Sequence, residues 1–288
     1  MTQHVMRVPN VRAVADFYCT HFGMTQQGAS NRRGPTVLQS EAGYSLVLSE
    51  PSETVLDTRN TEAVTQEDGY WKIAFTTADV DQLRDRLVAA GVPVTEPRQF
   101  LDIGYLCHLS DPAGFTVELL QHRFMPPRSP AAAVAPPDPL LGLLTLRVRD
   151  PEASLAFYRD RLGMQLLSRQ EVTPKRFSIY FLAGTDDRPP VADIGAVENR
   201  EWLYQRPYTL LELQHRWGSE AAPAKYRMAS DSEPGIGELT VVTNTVSTET
   251  VVEDPDGYRI RLRPANHESP DLSRSVLLLS RGAARQPG

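Results

Sequence analysis

Thr145-Leu146-Arg147-Val148-Arg149-Asp150-Pro151, then Phe157-Tyr158 and Gly163-Met164, decides the fold because the same phrase occurs earlier in the chain. There it runs Met6-Arg7-Val8, a short polar turn, Phe17-Tyr18 and Gly23-Met24, with the aromatic pair and the Gly-Met pair at the same separation. Toward the ends of the two halves, Asp111-Pro112-Ala113-Gly114-Phe115 matches Asp254-Pro255-Asp256-Gly257-Tyr258. An internal duplication is the simplest account of matched motifs at matched intervals.

Two hydrophobic periods alternate within each half. Val14, Phe17, Tyr18 and Phe22 recur at helical spacing, as do Leu155, Tyr158 and Leu162, and Asp150-Pro151 is a helix start. Val80 to Ala90 carries Leu83 and Leu87 on one face and ends at Gly91, a left-handed cap. Tyr44 to Leu48, Ile73 to Thr77, Phe177 to Leu182 and Thr209 to Leu213 read as strands by their β-branched, aromatic or alternating residues. Strand, helix, then several strands describes an α+β module, and the chain holds four. Between the halves, residues 126–139 contain six prolines in fourteen positions, which favours an extended spacer. The expected organisation is a domain at 1–125, this linker, a second domain at 140–266 and a tail at 267–288.

Composition excludes several classes of function. The 288 residues are 41% apolar and 23% charged, in the globular range. Thirty Lys and Arg against 36 Asp and Glu leave a net charge of -6, without the basic excess that nucleic-acid binding needs. The longest dense apolar run near an end, Val276 to Leu279, is too short to span a bilayer, and the first seven residues lack the apolar core of a secretory signal. A cytoplasmic protein without nucleic-acid or membrane partners is expected, as a monomer or homodimer. Cys19 and Cys107 lack metal-ligand spacing and are expected to be buried thiols.

The run from Thr145 to Met164, the strand Phe177-Ser178-Ile179-Tyr180-Phe181-Leu182, Leu210 to Gly218 and Asp254 to Tyr258 together resemble glyoxalase I, of the vicinal oxygen chelate superfamily. In the first half, Phe17-Tyr18, Gly23-Met24, Trp71 to Phe75 and Asp111 to Glu118 stand in register with the same pattern. The resemblance implies two glyoxalase-like domains built from four βαβββ-type modules. In that superfamily paired modules curl around a divalent metal held by His, Gln or Glu. The metal stabilises an enediolate while a Glu moves the proton.

Carried over position by position, the implied ligand sites are incomplete. The first module offers Gln3, with His4 beside it should the strand slip by one residue, and Val47. The second offers Lys72 and Glu118, the third Leu143 and Glu212, the fourth Glu238 and Arg261. Pairing first with second and third with fourth, or crossing the pairs, gives every set one cation and one aliphatic residue. A protonated lysine has no lone pair for a metal, and arginine is a permanent cation. Three readings stay open: an internal salt bridge filling a retired metal site, Lys72 or Arg261 acting as an electrophile for a bound carbonyl or carboxylate, or a metal held by His4, His108 and Glu118. The cofactor is accordingly none, or a divalent zinc, nickel or iron ion.

The same resemblance implies roles for other residues. Arg147, and Arg7 in the equivalent place, match the arginine that holds a glutathione carboxylate, and Phe177, Ile179 and Phe181 match an apolar substrate pocket. Glu118, Glu212, Lys72 and His108 are the candidates for catalysis, and Arg261 joins the candidate ligand-binding residues. Two departures count against glutathione. The segment between Val242 and Val251 is too short for the helix and edge strand of a complete fourth module, and Pro234-Gly235-Ile236-Gly237 replaces an expected arginine. The expectation is a glyoxalase I-like protein with a degenerate metal site, binding a small molecule such as a thiol adduct. The alternatives are a metal-free binding or sequestering protein of the superfamily and an extradiol-type dioxygenase.

Overall fold

The Asn10 side chain accepts a hydrogen bond from the Ala13 amide and starts α1 (Val11–Phe22), which Gly23 closes in the left-handed conformation at φ 67°. Asp79 does the same for α2 (Val80–Ala89), and Asp150 for α3 (Pro151–Leu155), which continues into a wider π-type turn over Ala156–Arg161. These elements belong to a computed structural model that describes residues 1–28, 35–52, 68–128, 132–221 and 226–265. The expected tail from 267, including Val276 to Leu279, lies outside the described residues.

Around α1 the first module contributes β1 (Gln3–Arg7), β2 (Thr25–Gln27), β3 (Thr36–Gln39) and β4 (Ser45–Ser49). Around α2 the second contributes β5 (Tyr70–Thr77), β6 (Arg98–Phe100), β7 (Gly104–Ser110) and β8 (Thr116–Gln121). The third has β9 (Leu140–Val148), β10 (Gln165–Val172), β11 (Phe177–Ala183) and β12 (Leu210–Arg216), with an additional helix, α4 (Glu198–Tyr204), before its last strand. Only β13 (Gly235–Thr243), β14 (Thr250–Glu253) and β15 (Arg259–Pro264) make up the fourth among the described residues. That module lacks a helix and one strand, as the short Val242 to Val251 segment implied.

The strands form two sheets, and the modules pair crosswise. The first sheet runs β14-β15-β13-β1-β4-β3-β2, joining the first module to the fourth, and the second runs β10-β11-β12-β9-β5-β8-β7-β6, joining the third to the second. Each junction is antiparallel, β1 against β13 and β5 against β9. Every sheet therefore draws on both sequence halves.

Alternation along the strands sends side chains to two faces. Ile73, Phe75, Leu144, Leu146 and Leu182 join α1, α2, α3 and residues of the first sheet in one large apolar cluster. Ala74, Leu143, Ile179 and Phe181, on the other face of the second sheet, join Leu203 and Tyr204 of α4 in a smaller one. The duplicated motifs clasp the larger layer. Tyr18 donates to Asp111 at 2.9 Å and Tyr158 to Asp254 at 2.8 Å, tying each helix to the turn preceding a closing strand. The other oxygen of each Asp accepts backbone N–H groups within its own turn. Burial nevertheless pushes both carboxyls up to about 6. Cys107 is buried, which pushes its thiol to about 12, whereas Cys19 is only partly buried; both are free.

Candidate functional site

The smaller apolar cluster borders a cavity of about 210 Å³ on the second sheet. Strand alternation points Glu212 and Gln214 of β12 and Phe177, Ile179 and Phe181 of β11 into it. A bulge in β5 between Tyr70 and Lys72 lets two consecutive residues, Trp71 and Lys72, reach the same space. His108 enters from β7 and Glu118 from β8. Helix α4 bridges the cavity to the second module: the Tyr204 hydroxyl, on a residue lining the cavity, donates to the Ile103 carbonyl at 2.8 Å, and Arg200 pairs with Asp102 at 2.8 Å. Glu201 of the same helix accepts the Phe124 and Arg128 backbone N–H groups.

At the polar end the Lys72 ammonium donates to Glu118 at 2.7 Å and lies 3.6 Å from Glu212, all three side chains being buried. His108 Nε2 sits 3.0 Å from the second Glu118 oxygen. Lys72 and Glu212 occupy one cross-strand row, each opposite Thr145 of β9, whereas Leu143 faces Ala74 and Leu210 one step away. Burial works against the ammonium, but Glu118 and Glu212 outweigh it and hold the amine above its usual value. Burial likewise opposes the Glu118 charge, and Lys72 with His108 overcomes it, lowering the carboxyl to about 2. Glu212 is raised, first by burial and also by Glu118, which the longer Lys72 contact and Thr145 only partly offset.

This donor set does not fit a divalent ion. The second module supplies an ammonium stabilised in its charged form, which offers no lone pair and repels a cation. Among the described residues, no cluster of three or more His, Cys, Asp or Glu is arranged to hold a metal.

The remaining metal candidates lie on the first sheet. Gln3 and Glu238 stand on β1 and β13, and Arg261 on β15 binds both Glu238 oxygens at 2.5 and 3.0 Å. Arg261 also reaches Glu249 and does not line the cavity. His4 stands apart from the other candidates. It turns into the large core, with Nδ1 2.9 Å from the Tyr44 hydroxyl, and burial pushes its pKa to about 3. It cannot join His108 and Glu118 on the second sheet, so the two-histidine set of a dioxygenase loses a member.

Arg7 and Arg147 also lie outside the cavity, because both are tied to the backbone around it. Arg7 donates to the Ala229, Glu233 and Ile236 carbonyls and pairs with Asp231. Arg147 donates to the Asp68 carbonyl and lies over the Trp71 ring, 4.8 Å from its centre. Several cavity residues, Gln214, Trp71 and Tyr204 among them, carried no expectation from the sequence. Gln214 follows Glu212 by two positions, so alternation alone would have found it. Trp71 is visible only once the β5 bulge is known, and Tyr204 only once the short α4 is placed.

The model of the Glyoxalase/Bleomycin resistance protein/Dioxygenase superfamily matches residues 2–119 and 140–197. A lactoylglutathione lyase of Pseudomonas aeruginosa is 32% identical over 145 residues, covering 42% of this chain and 80% of that protein. Glyoxalase I of Saccharomyces cerevisiae is 30% identical over 139 residues, 48% of this chain and 41% of the relative. Among solved structures, glyoxalase I from Zea mays superposes with a TM-score of 0.61 at 20% identity, covering 91% of each chain, a likeness of fold. No helix among the described residues is long and apolar enough to cross a membrane. By motif, fold and family model alike, the chain belongs to the Glyoxalase/Bleomycin resistance protein/Dioxygenase superfamily.

Proposed function

We propose that this chain is a glyoxalase I-like protein with a degenerate metal site, which binds a small molecule in the second-sheet cavity without a divalent metal. The observation that carries the reading is the Lys72 ammonium held between Glu118 and Glu212. Charge arithmetic supports it. A divalent ion between two carboxylates sums to zero, whereas one ammonium between them sums to minus one when both are ionised. An enediolate developing there meets net negative charge instead of a Lewis acid, the reverse of what transition-state stabilisation requires. Binding makes no such demand, and an apolar cavity with a few convergent polar groups is what small-molecule sites share.

A second reading, a lyase acting on an α-oxo thiol adduct, is favoured by the 32% identity to the Pseudomonas aeruginosa lactoylglutathione lyase. Purified protein incubated with the methylglyoxal hemithioacetal, with and without nickel or zinc, separates the two. The binding reading expects no turnover above buffer in either case, together with saturable binding of the neutral fluorophore Nile red that Ile179→Trp abolishes by filling the cavity. Metal-stimulated turnover would overturn it in favour of the lyase.

A further inference from the structure

Resting on the binding reading, we infer that the ligand is an aromatic molecule whose polar end donates hydrogen bonds and which carries no carboxylate or phosphate. The walls select the body. Trp71, Phe100, Phe177, Phe181 and Tyr204 all line the cavity, and broad ring faces pack best against another flat, weakly polar ring.

The polar end selects the functional group. Lys72, the buried cation at this end, is spent on Glu118 and Glu212. Two carboxylates facing one ammonium leave a surplus of acceptor oxygens, and a ligand anion placed there meets like charge in a buried setting. The Tyr204 hydroxyl is directed at the Ile103 carbonyl and His108 Nε2 at Glu118, so neither ring turns a ready donor toward a ligand oxygen. Glu212 lines the cavity with carboxyl oxygens that accept from a hydroxyl or N–H, and Gln214, two residues on along the same strand face, adds an amide that can accept from a hydroxyl and donate to its oxygen. The arginines that a carboxylate-bearing thiol adduct would use are engaged elsewhere: Arg7 on the 229–236 backbone, Arg147 on Asp68 and Trp71. Arg98 lines the cavity but is exposed, where solvent screens its attraction for an anion.

Three naphthalenes of matched size test this by fluorescence titration at pH 7: 2-naphthol, which donates; 2-methylnaphthalene, which cannot; and 2-naphthoate, an anion. The expected order is naphthol tightest, by about tenfold over the hydrocarbon, with naphthoate weakest. In Glu212→Leu, where Lys72 keeps a matched partner in Glu118, the preference for naphthol over the hydrocarbon should shrink to within about twofold. The ligand class is overturned if naphthoate binds as tightly as naphthol, if naphthol and the hydrocarbon bind alike, or if Glu212→Leu keeps the naphthol preference. Failure of all three to saturate would bring down the binding reading itself, and the ligand class with it.

Discussion

The two sheets carry equivalent ion-pair positions and treat them in opposite ways. On the second sheet, Lys72, Glu118 and Glu212 have side chains 6–7% exposed, closed in by apolar walls. On the first, Arg261 is 31% exposed and chelates Glu238 and Glu249 near solvent, with Arg263 sharing Glu249. The difference shows where the molecule concentrates its electrostatic cost. A buried trio is stable only while complete, whereas a half-exposed network exchanges its partners for water.

Lys72→Met should therefore have the largest effect, costing about 3–5 kcal/mol by leaving two buried carboxylates without a cation. Urea denaturation at pH 7 measures it, and a second substitution, Glu118→Gln, should return part of the loss as a coupling energy. Should Lys72→Met cost no more than a surface change, the trio is not held together as described.

A second contrast lies in pH. His4 on the first sheet is buried and neutral, its pKa lowered by burial from 6.5 to about 3. Because the folded value is depressed, its stabilisation is complete above about 6.5 and lost as pH falls toward 3. His4→Gln should flatten acid unfolding across that window, most visibly as a shrinking wild-type advantage. Glu118, lowered from 4.5 to about 2, loses its contribution as pH falls from 4.5 toward 2. Lys72→Met, which removes the main cause of that shift, should flatten this lower part of the curve. Asp111 and Asp254 have the opposite sign: raised from 3.8 to about 6, they favour the fold below 3.8 and lose that contribution as pH rises through 6.

The clasps should give a smaller and symmetric effect. Tyr18→Phe and Tyr158→Phe each remove one hydroxyl from a buried Asp that keeps its backbone donors, costing about 1–2 kcal/mol apiece. Unequal losses would show that the duplicated halves no longer share this load. Arg261→Met is expected to cost under about 1 kcal/mol, the smallest change of the set.

Much of the fold was legible because the duplicated motifs are structural. Phe17-Tyr18 and Phe157-Tyr158 are helix faces, and Asp111 and Asp254 are the turns to which those helices are fastened, so their repetition records one packing solution used twice. Lys72 was legible as a cation among carboxylates for a chemical reason: an ammonium cannot ligate a metal wherever the strand places it. The crossed pairing was not legible, since both arrangements satisfy the same strand patterns and only backbone pairing distinguishes them. Trp71 was hidden by a bulge that defeats alternation, and Tyr204 by a helix of seven residues, too short to show a period. The choice between Gln3 and His4 stayed open because an unpaired strand reveals two faces without saying which one meets the core.

The central claim is that Lys72 stands where a divalent ion would sit, and calorimetric titration of the purified protein with nickel and zinc tests it most directly. The account predicts no saturable heat from the wild type, and about one ion bound by Lys72→His, which offers an imidazole beside Glu118 and Glu212. One equivalent of metal bound tightly by the wild type would contradict it.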